Sequence, residues 1–283
     1  MKKLLKKIYL KVPIFRQIHH LNKKLDQQQK ILQEMQKLND WQYRDLIELI
    51  SNEQIKHNSN IKLETNNPIA YESNDHKNPF GTLQDNTRNP KFIKRCIDLY
   101  GSKMSFLDLG CSGGGLVFDF ALRGYEAIGL EGSDLSKKSQ RANWRTIPNN
   151  LFTCDITKSF QLTMDNELKK FKVISCWEVL EHIKEEDLPI VFNNVKKHLA
   201  DGGIFIGSIS KCLDDPLHVT IKEKKWWQAK MLEAELQMVE TEETSFEFLD
   251  FCRGVGGGLF DSHNYNESPE KGFHFIARMP INE

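Results

Sequence analysis

Residues 106–115 read Phe106-Leu107-Asp108-Leu109-Gly110-Cys111-Ser112-Gly113-Gly114-Gly115, an apolar run that passes directly into glycines. The apolar half predicts a short buried strand and the glycine half a tight turn opening a helix, because glycine lets the backbone bend sharply and approach a ligand closely. Outward from this stretch the chain alternates regularly. Apolar strands are expected at 104–109, 126–131, 150–154, 171–177 and 203–209, with helices at 91–101, 114–123, 135–145, 187–200 and 222–237. Strands separated by helices predict a parallel sheet covered on both faces. Two final runs, 245–252 and 272–278, have only a Gly-rich loop between them and are expected to form an antiparallel pair at the sheet edge. The fold class is therefore α/β: a Rossmann-like, doubly wound, seven-stranded sheet with an antiparallel terminal strand, preceded by a helical N-terminal extension.

The charges near the glycines sort the possible ligands. A dinucleotide would bring a pyrophosphate to this turn, and Asp108 would repel it; the dinucleotide spacing also fails, since its second glycine falls on Ser112. A ligand carrying a cation at that end is favoured instead, and S-adenosylmethionine, with an ammonium and a sulfonium but no phosphate, has that character. Glu131 ends the next strand, at the spacing of a carboxylate that accepts ribose hydroxyls. Asp155 ends the third strand and could accept from an adenine amino group. Each acid alone reads equally as a strand-end cap.

These residues, with ISCWEVLEHI (174–183) and HLADGGIFIGSIS (198–210), resemble the class I S-adenosylmethionine-dependent methyltransferases over about residues 90–279. The resemblance implies that Asp108, Gly110, Ser112 and Gly114 lie along the methionine and ribose, that Glu131 holds the ribose, and that Asp155 and Ile156 frame the adenine. Trp177 and Glu178 would line the transfer region. Serine at 112 departs from the glycine that many members carry. Methyl transfer from a sulfonium needs in-line placement and exclusion of water, and a base only for a weak nucleophile such as a hydroxyl. His218 and His182 are the candidate catalytic residues; His182 also reads as a residue that shapes the pocket. No metal ligand set is expected.

The remaining chain divides into 1–50, a basic amphipathic and coiled-coil-like helical extension; 51–89, a linker and acceptor-site loop; and 90–283, the catalytic domain. Residues 1–37 hold ten Lys or Arg against Asp26 and Glu34, although the whole chain balances 39 basic with 39 acidic groups. Residues 1–12 could lie on an anionic lipid surface. Residues 14–38 carry about two and a half heptads, which suit either self-association as a homo-oligomer or packing on the chain's own domain. Segment 75–89 (DHKNPFGTLQDNTRN) resembles a stretch found in methyltransferases of bacterial surface-polysaccharide gene sets, as do HVTIKEKKWW (218–227) and the opening residues. It offers Asp75, His76, Asp85, Asn86 and Arg88 to a saccharide, and is expected to fold over the carboxyl ends of the strands. Trp226-Trp227 reads either as an aromatic platform or as helix packing. The implied acceptor is a glycan precursor or another small hydroxylated molecule, O-methylated; a quinone or secondary-metabolite acceptor, and a non-catalytic scaffold, are the alternatives. Six scattered cysteines without a CxxC pair suit a reduced, cytoplasmic setting, at the inner membrane surface if residues 1–12 touch lipid. The composition points to no nucleic-acid partner.

Overall fold

A computed structural model describes residues 21, 23–25, 28, 29, 55–79, 83, 85–239, 265 and 268–280. The chain divides into Met1–Glu53 and Gln54–Glu283. In the first unit the described residues, Leu21 and Leu25 among them, are helical and exposed. The expected lipid-facing segment 1–12 and most of the heptad run 14–38 lie outside the described residues.

The second unit opens with strand β1 (Ile61–Thr65) and helix α1 (Asn74–Lys77), followed by α2 (Pro90–Tyr100), β2 (Ser105–Leu109), α3 (Gly115–Leu122) and β3 (Glu126–Glu131). After α4 (Leu135–Lys138) come β4 (Leu151–Thr153), β5 (Phe160–Met164), β6 (Glu167–Leu168), β7 (Phe171–Trp177), α5 (Leu188–His198), β8 (Leu199–Ser210), α6 (Lys224–Glu233), β9 (Gln237–Met238) and β10 (Gly272–Arg278). Seven strands form one sheet in the order β4-β3-β2-β7-β8-β10-β9. The pairs β4–β3, β3–β2, β2–β7 and β7–β8 are parallel, whereas β10 runs antiparallel to both of its neighbours.

Alternation along β2 explains the two layers. Phe106 points to one side and meets Phe92 of α2 and Phe120 of α3, with ring centroids 6.2 and 4.3 Å away. Leu107 and Leu109 point to the other and join a core with Val191, Phe192 and Val195 of α5 and Trp227 and Met231 of α6. A strand buried on both faces between helices is the signature of a doubly wound sheet. Trp227 is fully buried, which places it in helix packing, while Trp226 is only partly buried against the same core. Trp226 also lies under the ammonium groups of Lys222 and Lys230.

Several boundaries differ from expectation. The antiparallel strand expected at the edge, 272–278, sits one place inside it, and Gln237, expected to end a helix, forms the edge strand with Met238. The helix stops at Glu233 because Glu235 takes a left-handed φ of 60°, which turns the chain back. Residues 245–252 lie outside the described residues. The helix expected at 135–145 is a single turn, α4, followed by a 3-10 turn at Ala142–Trp144; Gln140 and Ala142, both at positive φ, break it.

Segment 51–89, expected as a linker, contains β1. Its partner is β5, about a hundred residues away, with Leu63 opposite Leu162, and β6 completes a small second antiparallel sheet. The β5–β6 hairpin turns on Asp165 and Asn166, both at positive φ as a two-residue type I′ loop requires. His198, fully buried at the end of α5, locks this sheet to the main fold. Its Nε2 accepts from Leu162 N–H at 3.0 Å, and its Nδ1–H donates to the Asn194 carbonyl at 2.8 Å. Burial holds the imidazole's pKa down at about 4, against a smaller opposing effect of the Asn194 bond.

Candidate active site

The strand order reverses between β2 and β7, so the connections leaving their carboxyl ends diverge and open a crevice there. A cleft of about 1470 Å³ occupies this position. Gly110, Ser112, Glu131, Asp155, Ile156, Trp177 and Glu178 all line it, as do Asp75, His76, Asp85 and His182.

The glycine turn is built by backbone need. Gly110 (φ +76°) is the first residue after β2, and a Cβ there would stand 2.4 Å from Val179 Cγ2. Gly114 (φ +80°) caps α3, and its Cβ would meet Leu151 Cδ1 at 2.7 Å. Ser112 adopts φ +45° without being glycine. Four hydrogen bonds hold it there. Its N–H donates to Glu131 Oε2 (2.7 Å) and its hydroxyl to the Asp85 carbonyl (2.9 Å), while Arg141 donates to its Oγ (2.9 Å) and Trp144 Nε1–H to its carbonyl (2.8 Å). Glu178, where β7 ends, is a second strained residue (φ +53°), and its carboxylate accepts from Ser208 and from Tyr265 (2.7 Å). Non-glycine residues held in the left-handed region at strand ends are where strain gathers around binding sites.

Glu131 is the best-defined acid. One carboxylate oxygen accepts from Ser112 N–H and the other from Ser133 N–H (3.1 Å). Burial raises its pKa to about 7; the two N–H donors and Arg141 pull the other way, and Asp75 adds to the rise. Asp155 Oδ1 accepts from the N–H and the hydroxyl of Thr157, a local turn at the cleft lining. Trp177 stands edge-on to Phe92, 5.4 Å between centroids, with its buried Nε1–H unpartnered.

The pre-domain segment does fold against the glycine turn. Asp85 supplies the carbonyl that Ser112 and Arg141 share, and Asp75 Oδ2 lies 3.0 Å from His182 Nδ1. Burial opposes the charged form of His182, but Asp75, Glu181 and Asp215 outweigh it and raise the imidazole's pKa to about 9. His76 lines the cleft with a buried Nδ1 that has no partner.

Five expected residues do not line the cleft. Asp108 is buried within β2, accepting from the Ser175 hydroxyl at 2.5 Å, and Gly114 supports the turn from behind. Asn86 packs against Gly113, with its buried Oδ1 unpartnered. Arg88, expected among the acceptor contacts, is instead paired with Asp119 of α3, a carboxylate 1 % exposed, because a charge buried there requires a counterion. His218 sits one layer back: its ring contacts that of His182 (centroids 4.7 Å apart), and its Nδ1–H donates to the Cys212 carbonyl at 2.9 Å.

Glu181 and Arg141 went unnoticed in the sequence. The signal for Glu181 was present: it sits inside EVLEHI, directly beside His182. Nothing local marks Arg141, since its partners come from residues 85 and 112.

A family model described as a methyltransferase domain matches residues 82–253. The chain is 29 % identical over 181 residues to the ubiquinone biosynthesis O-methyltransferase of Actinobacillus pleuropneumoniae serotype 7 (strain AP76), covering 62 % of this chain and 71 % of that protein. Among solved structures it is similar to the TehB-like SAM-dependent methyltransferase from Corynebacterium glutamicum ATCC 13032 Kitasato, with a TM-score of 0.48 and 12 % identity over 71 % of this chain and 93 % of that one. It is also similar to the CcbJ methyltransferase from Streptomyces caelestis, with a TM-score of 0.47 and 14 % identity over 76 % of this chain and 99 % of that one. The match at residues 82–253 takes in more than half of the chain and contains the glycine turn, Glu131, Asp155 and the EVLEHI segment, and on that ground the chain belongs to the methyltransferase-domain family.

Proposed function

We propose that this chain transfers a methyl group from S-adenosylmethionine to a hydroxyl of a saccharide or glycan precursor. The observation that carries the reading is that Glu131 and the Asp75–His182 pair face one cleft at the point where the strand order reverses. When bound, the cofactor supplies a methyl carbon on a sulfonium, a leaving group that needs no further activation.

The residues present suit that cofactor. Each oxygen of Glu131 accepts one backbone N–H and retains lone pairs for ribose hydroxyls. Such donors stabilise the carboxylate and offset part of the cost of its burial. Gly110 and Ser112 would run beside the methionine portion, Asp155 and Ile156 would frame the adenine, and Trp177 and Glu178 would close the transfer region. Asp108 and Gly114 would keep the turn in shape.

For the acceptor, the rest of the lining offers several carboxylates, including Asp75, Asp85, Asp187 and Asp215. Such groups accept hydrogen bonds from a polyol. With Nδ1–H committed to the Cys212 carbonyl, His218 presents Nε2 from behind the lining and would take the proton of the acceptor hydroxyl through one bridging water. His182, largely protonated near neutrality, would orient that hydroxyl rather than deprotonate it. A quinone-type phenol acceptor is the second reading. It is favoured by the relative from Actinobacillus pleuropneumoniae, and Ile69, Tyr71 and Leu217 would then hold the ring.

Residues 1–12 would hold the enzyme at an anionic membrane surface in the cytoplasm and 14–38 would pair two copies. No helix among the described residues is long and apolar enough to cross a membrane. The test is a calorimetric titration with S-adenosylhomocysteine and with NAD, followed by a methyl-transfer screen on nucleotide sugars, glycan ends and polyprenyl phenols. S-adenosylhomocysteine binding with transfer to sugars supports the reading; transfer only to phenols selects the second acceptor; binding without any transfer selects a non-catalytic scaffold. Tight NAD binding would end the assignment.

A further inference from the structure

We propose that Glu181, His182 and His218 form a binding site for one divalent transition-metal ion of the zinc type, at the wall of the same cleft. One ligand atom from each of the three residues lies within 4.8 Å of the other two. Two imidazoles and one carboxylate form a donor set suited to such ions, and ligand atoms around zinc stand about 3 to 3.5 Å apart, so closure requires only a small ring rotation.

What distinguishes this cluster from a chance meeting of polar groups is the partner each ligand already has. Metal-bound imidazoles characteristically give their second nitrogen to a backbone carbonyl or a carboxylate, which fixes the ring. His218 gives Nδ1–H to the Cys212 carbonyl, leaving Nε2 for an ion. His182 has Nδ1 3.0 Å from the Asp75 carboxylate, and an ion binding at its Nε2 would displace the proton carried there. Glu181 is wholly buried. Its Oε1 accepts from Ser210 N–H at 2.7 Å, but its Oε2 has no hydrogen-bond partner. A buried carboxylate oxygen without a donor is costly and calls for a ligand.

The backbone holds the three positions together before any ion arrives. Val219 N–H and Thr220 N–H both donate to the Glu181 carbonyl, at 2.8 and 2.9 Å, and the Thr220 hydroxyl donates to the Ile183 carbonyl at 2.7 Å. The loop bearing His218 is thereby fastened to the turn bearing Glu181 and His182. Asp215, with Oδ2 3.7 Å from His218 Nε2, adds negative charge nearby that would favour a cation.

Three protein ligands leave at least one coordination position open, and His182 puts the site on the cleft lining. A hydroxyl oxygen bound there would be polarised and lose its proton more readily. This role rests on the cleft being the acceptor site, as proposed above; with the ion in place, Nε2 of His218 is a ligand and not a base.

The test uses the full chain, stripped with a chelator and titrated with Zn²⁺ calorimetrically and with Co²⁺ by visible absorption, alongside S-adenosylhomocysteine binding as a separate readout. Expected are one Zn²⁺ per chain and cobalt bands of a nitrogen- and oxygen-ligated site. His182→Ala and His218→Ala should each lower metal affinity by about 100-fold or more, and Asp75→Asn by about 10-fold to 100-fold. Should an alanine variant not fold, His218→Gln carries the same comparison. No binding by wild-type protein at a tenfold excess of Zn²⁺, or binding of equal strength in the variants, overturns the proposal. Failure of S-adenosylhomocysteine to bind would overturn the cofactor reading and leave the metal result standing.

Discussion

The backbone N–H of Ser112 donates to the Glu131 carboxylate at 2.7 Å, tying the turn after one strand to the end of the next. The acid that would hold the ribose therefore also fixes the strained serine beside it, at φ +45°.

Glu131→Ala removes both acceptor oxygens and is expected to weaken S-adenosylhomocysteine binding by roughly 1 to 3 kcal/mol. Affinity should also depend on pH. The free carboxyl titrates at about 7, and only the ionised form can accept two hydroxyl donors without offering a proton. Binding in the wild type should thus tighten as pH rises through about 7 and level off above it. A calorimetric series from pH 6 to 8 checks this, and a pH-independent affinity would detach Glu131 from the ribose.

Arg88 tests the boundary between acceptor site and scaffold. Its pairing with Asp119, which also has Arg123 3.5 Å away, predicts a stability role. Arg88→Ala leaves a buried carboxylate with one partly exposed partner and should cost about 2 to 4 kcal/mol in chemical denaturation. Arg88→Met with Asp119→Leu should recover much of that loss. An Arg88→Ala protein of unchanged stability but raised acceptor KM would return Arg88 to the binding site.

The strand ends of the main sheet were legible because each carries its own signal: Asp108, Glu131 and Asp155 close apolar runs, and Gly110 to Gly115 follow one of them. The second sheet was not. Ile61–Thr65 sits in an Asn- and Ser-rich stretch, and its partner strand lies about a hundred residues away, so no local pattern announces the pairing. The two-residue Asp165-Asn166 turn was the available clue. Arg88 was misjudged because composition shows which groups a loop offers, whereas the buried Asp119 on a helix further along decides where one of them goes. His218 contacts His182, but its place behind the lining depends on the Cys212 carbonyl, which a sequence does not reveal.

His198 predicts a pH effect on folding. The unfolded imidazole binds a proton near 6.5 and the folded one only at about 4, so between those values the unfolded chain holds more protons. The contribution is complete above about pH 6.5 and is lost as pH falls toward 4, up to about 3 kcal/mol. Glu131 and Glu181, whose carboxyls burial raises to about 7 and 8, act in the opposite direction, so the comparison must be with a variant. His198→Gln, which cannot titrate, should show a smaller loss of stability than wild type between pH 7 and pH 5 in urea melts. Parallel profiles would mean that the buried imidazole accepts its proton without cost.

His218→Ala is expected to lower kcat by about 100-fold to 10,000-fold, the range for a group that assists proton transfer from a hydroxyl. His182 cannot substitute for it, since Asp75 keeps that imidazole's pKa at about 9 against the cost of burial, and an imidazolium has no lone pair to accept with. The loss should appear in kcat more than in KM, because the ring lies behind the cleft lining and touches His182 rather than the space an acceptor would fill. Affinity for S-adenosylhomocysteine should stay within about twofold, as His218 meets His182, Asp215 and the Cys212 carbonyl and not Glu131 or the glycine turn. The decisive control is an acceptor analogue with a more acidic hydroxyl. Its transfer rate should fall less on the His218→Ala change, since less assistance is needed to remove its proton. An unaltered rate, or equal losses for the two acceptors, would leave His218 as a packing residue and shift proton removal to the carboxylates of the cleft.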